Sequence, residues 1–259
     1  MVHSITQKRD GFVATVLLDN PDKLNALNLA SWEELARVMT ALSEENEVRC
    51  VVIRGAGERA FCAGADISEL PDKRGNAASA RQYGAATDAA MEAITGCRHP
   101  TVAAIRGPCT GGGLEIACAC DVRVAESSAR FGVPINRLGH VLGHLEMKLV
   151  LAAAGSELLL EMLLEARIID AEEAARRGLV GRVVPGGELE ATVAATAERI
   201  AQGAPLSNRT TKKFLRRLSD PAPLSEAELD EVNTICDSRD YAEGLRAFLA
   251  KEKPKFEGC

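Results

Sequence analysis

Phe61-Cys62-Ala63-Gly64-Ala65-Asp66-Ile67 and Gly107-Pro108-Cys109-Thr110-Gly111-Gly112-Gly113-Leu114-Glu115 are the two stretches on which the fold turns. The run Val48 to Arg54, with Cys50-Val51-Val52-Ile53 at its centre, precedes the first, and Thr101 to Arg106 precedes the second. Runs this apolar read as strands covered on both faces. Small residues shortly after such strands let backbone approach a ligand closely. Singly, each loop is a tight turn. Together, at the ends of neighbouring strands, they can aim two backbone N–H groups at one point, which is an oxyanion hole.

Working outward, Gly11 to Leu18 alternates and reads as a strand, followed by an Asn20-Pro21-Asp22 turn. Ser31 is the expected N-cap of a helix, with Glu34 closing a capping box and Leu35, Val38, Met39 and Leu42 at helical spacing. Ala80 to Ile94 and Leu114 to Cys120 read as helices, and Asp121 to Glu126 as a short strand. Beyond Glu146 the pattern predicts helices over Met147 to Ala154, Glu157 to Leu164, Ala171 to Arg177, Leu189 to Ala201, Leu206 to Leu218 and Ser225 to Cys236. Val180 to Val184 interrupts them as one strand. The strand–helix–strand order predicts a parallel sheet with right-handed crossovers. The first half is therefore mixed α/β and the last third helical.

Composition removes other classes. With 259 residues, 46% hydrophobic and 26% charged, the chain can bury a core without disulfides or a structural metal. A net charge of −6 lacks the basic footprint of a nucleic-acid binder, and 3% aromatics leave few bases a platform. Lys212-Lys213 and Arg216-Arg217 form the one suggestive basic cluster. No apolar run reaches the ~18 residues of a membrane span. Met1 to Gly11 carries His, Lys, Arg and Asp rather than a signal-peptide core, so a cytoplasmic protein with no membrane partner is expected. The eight cysteines sit mostly in apolar runs and read as reduced core residues; no metal site is expected. Gly55-Ala56-Gly57-Glu58-Arg59-Ala60 fits G-x-G-x-x-G/A, but Phe61 to Asp66 holds few helix signals, so a strand-ending turn is expected instead of a dinucleotide site.

Asn25-Ala26-Leu27-Asn28, the 61–67 stretch, Gly111-Gly112-Gly113-Leu114-Glu115 and Cys120-Asp121 resemble the crotonase (enoyl-CoA hydratase/isomerase) superfamily. So do Ala129-Arg130-Phe131-Gly132-Val133-Pro134, Ala174-Ala175-Arg176-Arg177-Gly178-Leu179-Val180 and Glu243-Gly244-Leu245-Arg246-Ala247-Phe248-Leu249. The resemblance covers almost the whole chain in order. It implies an α/β fold, a crotonase-like spiral of repeated β-β-α units with a C-terminal helical trimerisation region. Residues 1–195 would form the core with the acyl-CoA site, and 196–259 the helices that oligomerise and close that site. It also implies a homotrimer or a dimer of trimers, no tightly bound cofactor, and a coenzyme A thioester as substrate.

The same resemblance implies residue roles. The amides of Ala65 and Gly112 would hold the thioester oxygen. Ala65, Asp66, Ile67 and Ser68 would lie along the CoA adenine and pantetheine, with Ala26 and Ala63 beside them and Lys23 near the nucleotide phosphates. Glu115 matches one of two catalytic glutamates; read alone, it is an acid complementing a helix N-terminus. The second glutamate of a hydratase follows Phe-Gly-x-Pro, and here that position is Ile135. Leu142-Gly143-His144-Leu145-Glu146 replaces the downstream Pro-Gly-x-Gly-Gly. Asn136, Arg137, His140, His144 and Glu146 are the polar groups nearby; His140 and His144 share a face if this stretch is helical. The expected activity is hydratase/isomerase chemistry through an oxyanion-stabilised enolate. Isomerisation, decarboxylation or thioester hydrolysis, and a non-catalytic CoA-binding role, are the alternatives.

Overall fold

The computed structural model describes residues 4–259; the first three residues of the charged opening stretch lie outside the described residues. Strands β1 (Ser4–Asp10) and β2 (Val13–Asp19) form an antiparallel hairpin through Gly11, whose φ is +54°. β1 escapes sequence reading because it is an edge strand, exposed from Thr6 onward; of its side chains Ile5 reaches the core. Helix α1 (Leu29–Glu44) follows, then β3 (Cys50–Gly55), a short helix α2 (Leu70–Lys73) and α3 (Ala77–Gly96). Next come β4 (Thr101–Ile105), β5 (Pro108–Thr110), α4 (Gly112–Ala119), β6 (Val122–Glu126) and β7 (Arg130–Gly132). The rest runs α5 (His144–Leu164), β8 (Ile168–Asp170), α6 (Ala171–Arg176), β9 (Arg182–Val184) and α7 (Leu189–Ala201). It ends with α8 (Pro205–Arg217), α9 (Glu226–Thr234) and α10 (Arg239–Ala250).

Six strands form the main sheet in the order β1-β2-β3-β4-β6-β9, parallel from β2 onward. A second sheet has the order β5-β7-β8. The turns β1-β2-α1, β4-β5-α4 and β6-β7-α5 repeat one unit, the spiral the resemblance implies. Val51 and Ile53 of β3 face the large core with Trp32, Leu35, Met39 and Met91. Cys50 and Val52 face the other side, where Leu189, Val193 and Ala197 of α7 cover them. That is why β3 reads as continuously apolar. The division at 195/196 falls inside α7.

Two local expectations change. Asn28, not Ser31, caps α1: its Oδ1 accepts the Ser31 amide at 2.9 Å, so the helix starts at Leu29. Asn is as good a cap as Ser. Glu34, freed from a capping role, pairs with Arg37 at 2.5 Å. The second change is at 140–143, which is not helical. His140 follows a 3-10 turn (Ile135–Leu138) and Gly139, whose φ of +65° ends that turn, and α5 begins only at His144. His140 and His144 therefore share no helix face.

α5 kinks at Gly155, φ +75°, between the two helices expected there. No helix begins at Gly55 to Ala60, so the G-x-G-x-x-A match is a turn. The basic cluster of α8 is internally paired: Lys212 and Arg216 with Asp121, Lys213 with Glu231, Arg217 with Glu228. No helix among the described residues is long and apolar enough to cross a membrane.

Candidate active site

The site begins with a strained turn. Leu24 and Asn25 sit at φ +52° and +60°, a region non-glycine residues rarely occupy. The Asn25 side chain holds the turn there. Its Oδ1 accepts the Asn20 amide at 3.1 Å, and its Nδ2 donates to the carbonyls of Ala56 and Ala60 at 3.0 and 2.8 Å. Such over-determination is how strain persists. The turn pins the 61–67 loop from one side, with the Ala63 amide on the Leu24 carbonyl and the Asp66 amide on the Leu27 carbonyl.

From the other side the loop runs parallel to β5. Cys62 donates to the Pro108 carbonyl at 3.1 Å and accepts from the Thr110 amide at 3.0 Å, while Thr110 Oγ1 donates to the Ala63 carbonyl at 3.2 Å. Gly64, φ +102°, lies so close to α4 that a Cβ there would sit 3.1 Å from the Gly112 nitrogen and 2.9 Å from the Thr110 carbonyl oxygen. Gly112 in turn abuts Trp32, whose ring carbons would be 2.8 Å from a Cβ. The two glycine loops are therefore in direct contact, as the sequence anticipates. Neither the Ala65 nor the Gly112 amide has a protein acceptor among the described residues. Gly112 is the first residue of α4, which adds the positive end of its dipole.

These amides border a cavity of about 340 Å³. Ala63, Ala65, Ile67 and Gly112 line it, with Glu115 from the first turn of α4. Lys23, Ala26, Asp66 and Ser68 do not line it; they brace the wall behind Ile67. Asp66 is buried, takes the Ser68 amide and hydroxyl at 3.1 and 2.7 Å, and pairs with Lys23 Nζ at 2.6 Å. Lys23 also donates to Ser68 Oγ at 2.8 Å, which leaves one of its three N–H bonds without a partner among the described residues. Ala26 is buried, its carbonyl held by Asn20 at 2.8 Å.

Ile135, the position that the resemblance matches to a second carboxylate, lines the cavity with an apolar side chain. Of the five polar groups after it, Arg137, His140 and Glu146 reach the cavity; Asn136 instead donates to the Leu164 carbonyl at 2.8 Å, and His144 is exposed outside it. The placement of His144 corrects its assignment as a candidate catalytic residue. It stands two residues before Glu146 on α5, and residues so spaced do not share a face. Sequence reasoning did not single out Trp32, Arg74, Tyr83 or Thr87, which also line the cavity. The last three lie at the end of α2 and on α3. Arg74 is held over the Tyr83 ring, 5.0 Å from its centroid. None of the lining residues comes from 196–259.

Burial pushes the Glu115 carboxyl up to about 8, with the nearby Glu146 carboxyl adding to the effect and Arg74 opposing it. Burial also raises Glu146, helped by Asp88 and opposed by Thr87. His140 is lowered by partial burial and by Arg74. Asp66 goes the other way: burial raises it, but Lys23 and the Ser68 donors outweigh that and hold it low. The cavity thus holds a carboxyl pushed up to about 8 by burial and is bordered by two amides that have no protein acceptor among the described residues.

The model of the enoyl-CoA hydratase/isomerase family matches residues 8–259. The chain belongs to that family. A short-chain-enoyl-CoA hydratase of Clostridium acetobutylicum is 33% identical over 259 residues, covering 99% of this chain and 98% of the relative. An (E)-benzylidenesuccinyl-CoA hydratase of Thauera aromatica is 33% identical, covering 98% and 99%. The crystal structure of an enoyl-CoA hydratase/carnithine racemase from Magnetospirillum magneticum superposes with a TM-score of 0.97 at 49% identity, covering 100% of this chain and 97% of that one. In this member of the enoyl-CoA hydratase/isomerase family, both glycine loops, Glu115 and Ile135 line one cavity.

Proposed function

We propose that this protein binds an acyl-CoA thioester with the carbonyl oxygen between the amides of Ala65 and Gly112, and performs hydratase-type chemistry with Glu115 as a proton-transfer group. One observation carries the reading: two amides on adjoining loops, with no acceptor among the described residues, border the same cavity as a buried carboxyl pushed up to about 8. Addition or deprotonation next to a thioester builds negative charge on its oxygen, and each preorganised donor contributes on the order of 3 kcal/mol to stabilising that charge. The CoA chain would run along Ala63 to Ser68, over a wall braced by Lys23, Asp66 and Ala26, with the remaining N–H of Lys23 toward a phosphate. No tightly bound cofactor is needed. Ile135 supports a second reading within the family, in which isomerisation, decarboxylation or thioester hydrolysis replaces hydration.

The relatives with hydratase names support hydration first. The test is loss of the conjugated-enone absorbance of crotonyl-CoA by the protein and by Glu115→Gln. Fast loss confined to the unaltered protein upholds the reading. Failure to bind any CoA thioester overturns it.

Self-association is proposed on separate grounds. Leu215, Leu218, Leu229, Leu245, Phe248 and Leu249 of the last helices are exposed apolar side chains, Phe248 by 80%. Patches of this kind mark association surfaces. A trimer or hexamer by light scattering, reduced to monomer by Phe248→Glu, is the expected result.

A further inference from the structure

Glu146 is a buried carboxylate with no structural partner equal to its charge. Thr87 Oγ1 stands 3.2 Å from its Oε1, while its Oε2 is buried without a hydrogen-bond partner among the described residues. Room for Oε2 is made by Gly143: a Cβ there would lie 2.1 Å from that oxygen. Leaving such a group unsatisfied is costly, and an apolar residue of similar size would relieve the cost. The polar groups that line the cavity around Glu146 come from several elements: Glu115 from α4, Thr87 from α3, Arg74 from the end of α2 and His140 from the loop before α5, with Asp88 of α3 outside the lining. Asp88 is within electrostatic reach of both glutamates, and Arg74 is the cation that opposes them. His140 is exposed at the rim.

We infer that Glu146 is the second proton-transfer group of this site, entering from the start of α5 to do what Ile135 cannot. This rests on the acyl-CoA reading above. In hydration, the ionised Glu146 takes a proton from water as the water oxygen bonds to Cβ. The electron pair of the C=C bond moves toward the thioester, whose oxygen takes the charge at the Ala65 and Gly112 amides. Glu115 then delivers its proton to Cα. One water is added, and the proton on Glu146 passes back to Glu115 to restore the starting state. Two carboxyl groups lining one cavity, one able to act as acid and the other as base, are suited to this cycle.

The test compares kcat, KM and pH profile with crotonyl-CoA for the full-length protein, Glu146→Gln and Gly143→Ala. Glu146→Gln is expected to lose about 10²–10³-fold in kcat with KM nearly unchanged, and to lose the rise in kcat/KM on the acid side that reports ionisation of the base. Gly143→Ala keeps the carboxyl but evicts it from its niche, and is expected to lower kcat at least tenfold with the same unfolding temperature within a few degrees. Turnover that needs Glu115 yet survives Glu146→Gln within threefold, or keeps the same pH profile, overturns this inference and leaves the acyl-CoA reading standing. Thioester binding without any hydration overturns it as well. No binding of any CoA thioester overturns the reading beneath.

Discussion

Two buried carboxylates, Asp66 behind the cavity wall and Glu115 in it, are treated in opposite ways. Asp66 is given an ammonium and two Ser68 donors, which outweigh its burial and lower its pKa below the ordinary carboxyl value. Glu115 lies in a cavity wall with another carboxyl for a neighbour, and its proton is held on to about 8. The difference separates a brace from a reagent. A carboxylate that is paired and solvated by protein donors fixes a loop and cannot readily exchange a proton. One that is buried and unpaired is poised to exchange it near neutral pH.

The largest effect expected from this contrast is on turnover. Glu115→Gln keeps shape and removes the exchangeable proton, and should lower kcat by about 10³-fold, near the middle of the range for a lost acid–base group. The crotonyl-CoA assay measures it; a loss of tenfold or less would make Glu115 another brace. The same substitution should act on stability in the opposite sense. Below pH 4.5, the ordinary carboxyl value, Glu115 is protonated both folded and unfolded and costs nothing. As pH rises toward about 8, the unfolded chain gives up the proton that the folded chain must keep, and stability falls. Glu115→Gln removes that cost, so at pH 8 it should gain on the order of 3 kcal/mol over the unaltered protein, with the gain vanishing near pH 4. Urea unfolding at the two pH values gives the answer.

Comparable in size, Gly113→Ala breaks the scaffold that both carboxylates hang on. Its Cβ would lie 2.1 Å from the Cys62 carbonyl oxygen, which is already engaged by Thr110, so neither strand can yield. A loss of about 3 kcal/mol is expected from such overpacking, read by the same unfolding curves. For Asp66→Asn the sign reverses relative to Glu115→Gln. The stability Asp66 supplies is present above its ordinary value of 3.8 and is lost as pH falls through its lowered folded value. Removing the charge should cost about 1–2 kcal/mol at pH 7 and less near pH 3. Smallest of all, Lys23→Met removes a half-exposed partner and should cost no more than about 1 kcal/mol, with KM for a CoA thioester rising more than kcat falls.

The same contrast explains what could be read from the chain alone. Features fixed by local composition were legible: the doubly buried strands at Cys50-Val51-Val52-Ile53 and Thr101–Ile105, the helix at Leu189–Ala201, and the glycine loops that meet at Gly64 and Gly112. Edge strand β1 was not, because its outward face reads as charged coil. Nor was the start of α1, where Asn28 and Ser31 compete for one cap. Glu115 was legible through the family resemblance; read alone, it is an acid complementing the N-terminus of α4. Glu146 was one polar residue among five after Ile135, and linear spacing did not rank it above His144. The start of α5 ranks them, by turning one inward and the other out. Arg74 and Tyr83 were hidden for a related reason: their stretch is rich in Gly, Asn, Ala and Ser, whose path only the packed α1 and α3 decide.

The central claim is that Glu115 carries a proton at neutral pH in the free protein. Infrared difference spectroscopy of the unaltered protein against Glu115→Gln, stepped from pH 5 to pH 9, reads that proton directly. A protonated carboxyl band that is absent from the variant and titrates away near pH 8 is the predicted result. A Glu115 carboxyl already ionised at pH 6 would contradict the account.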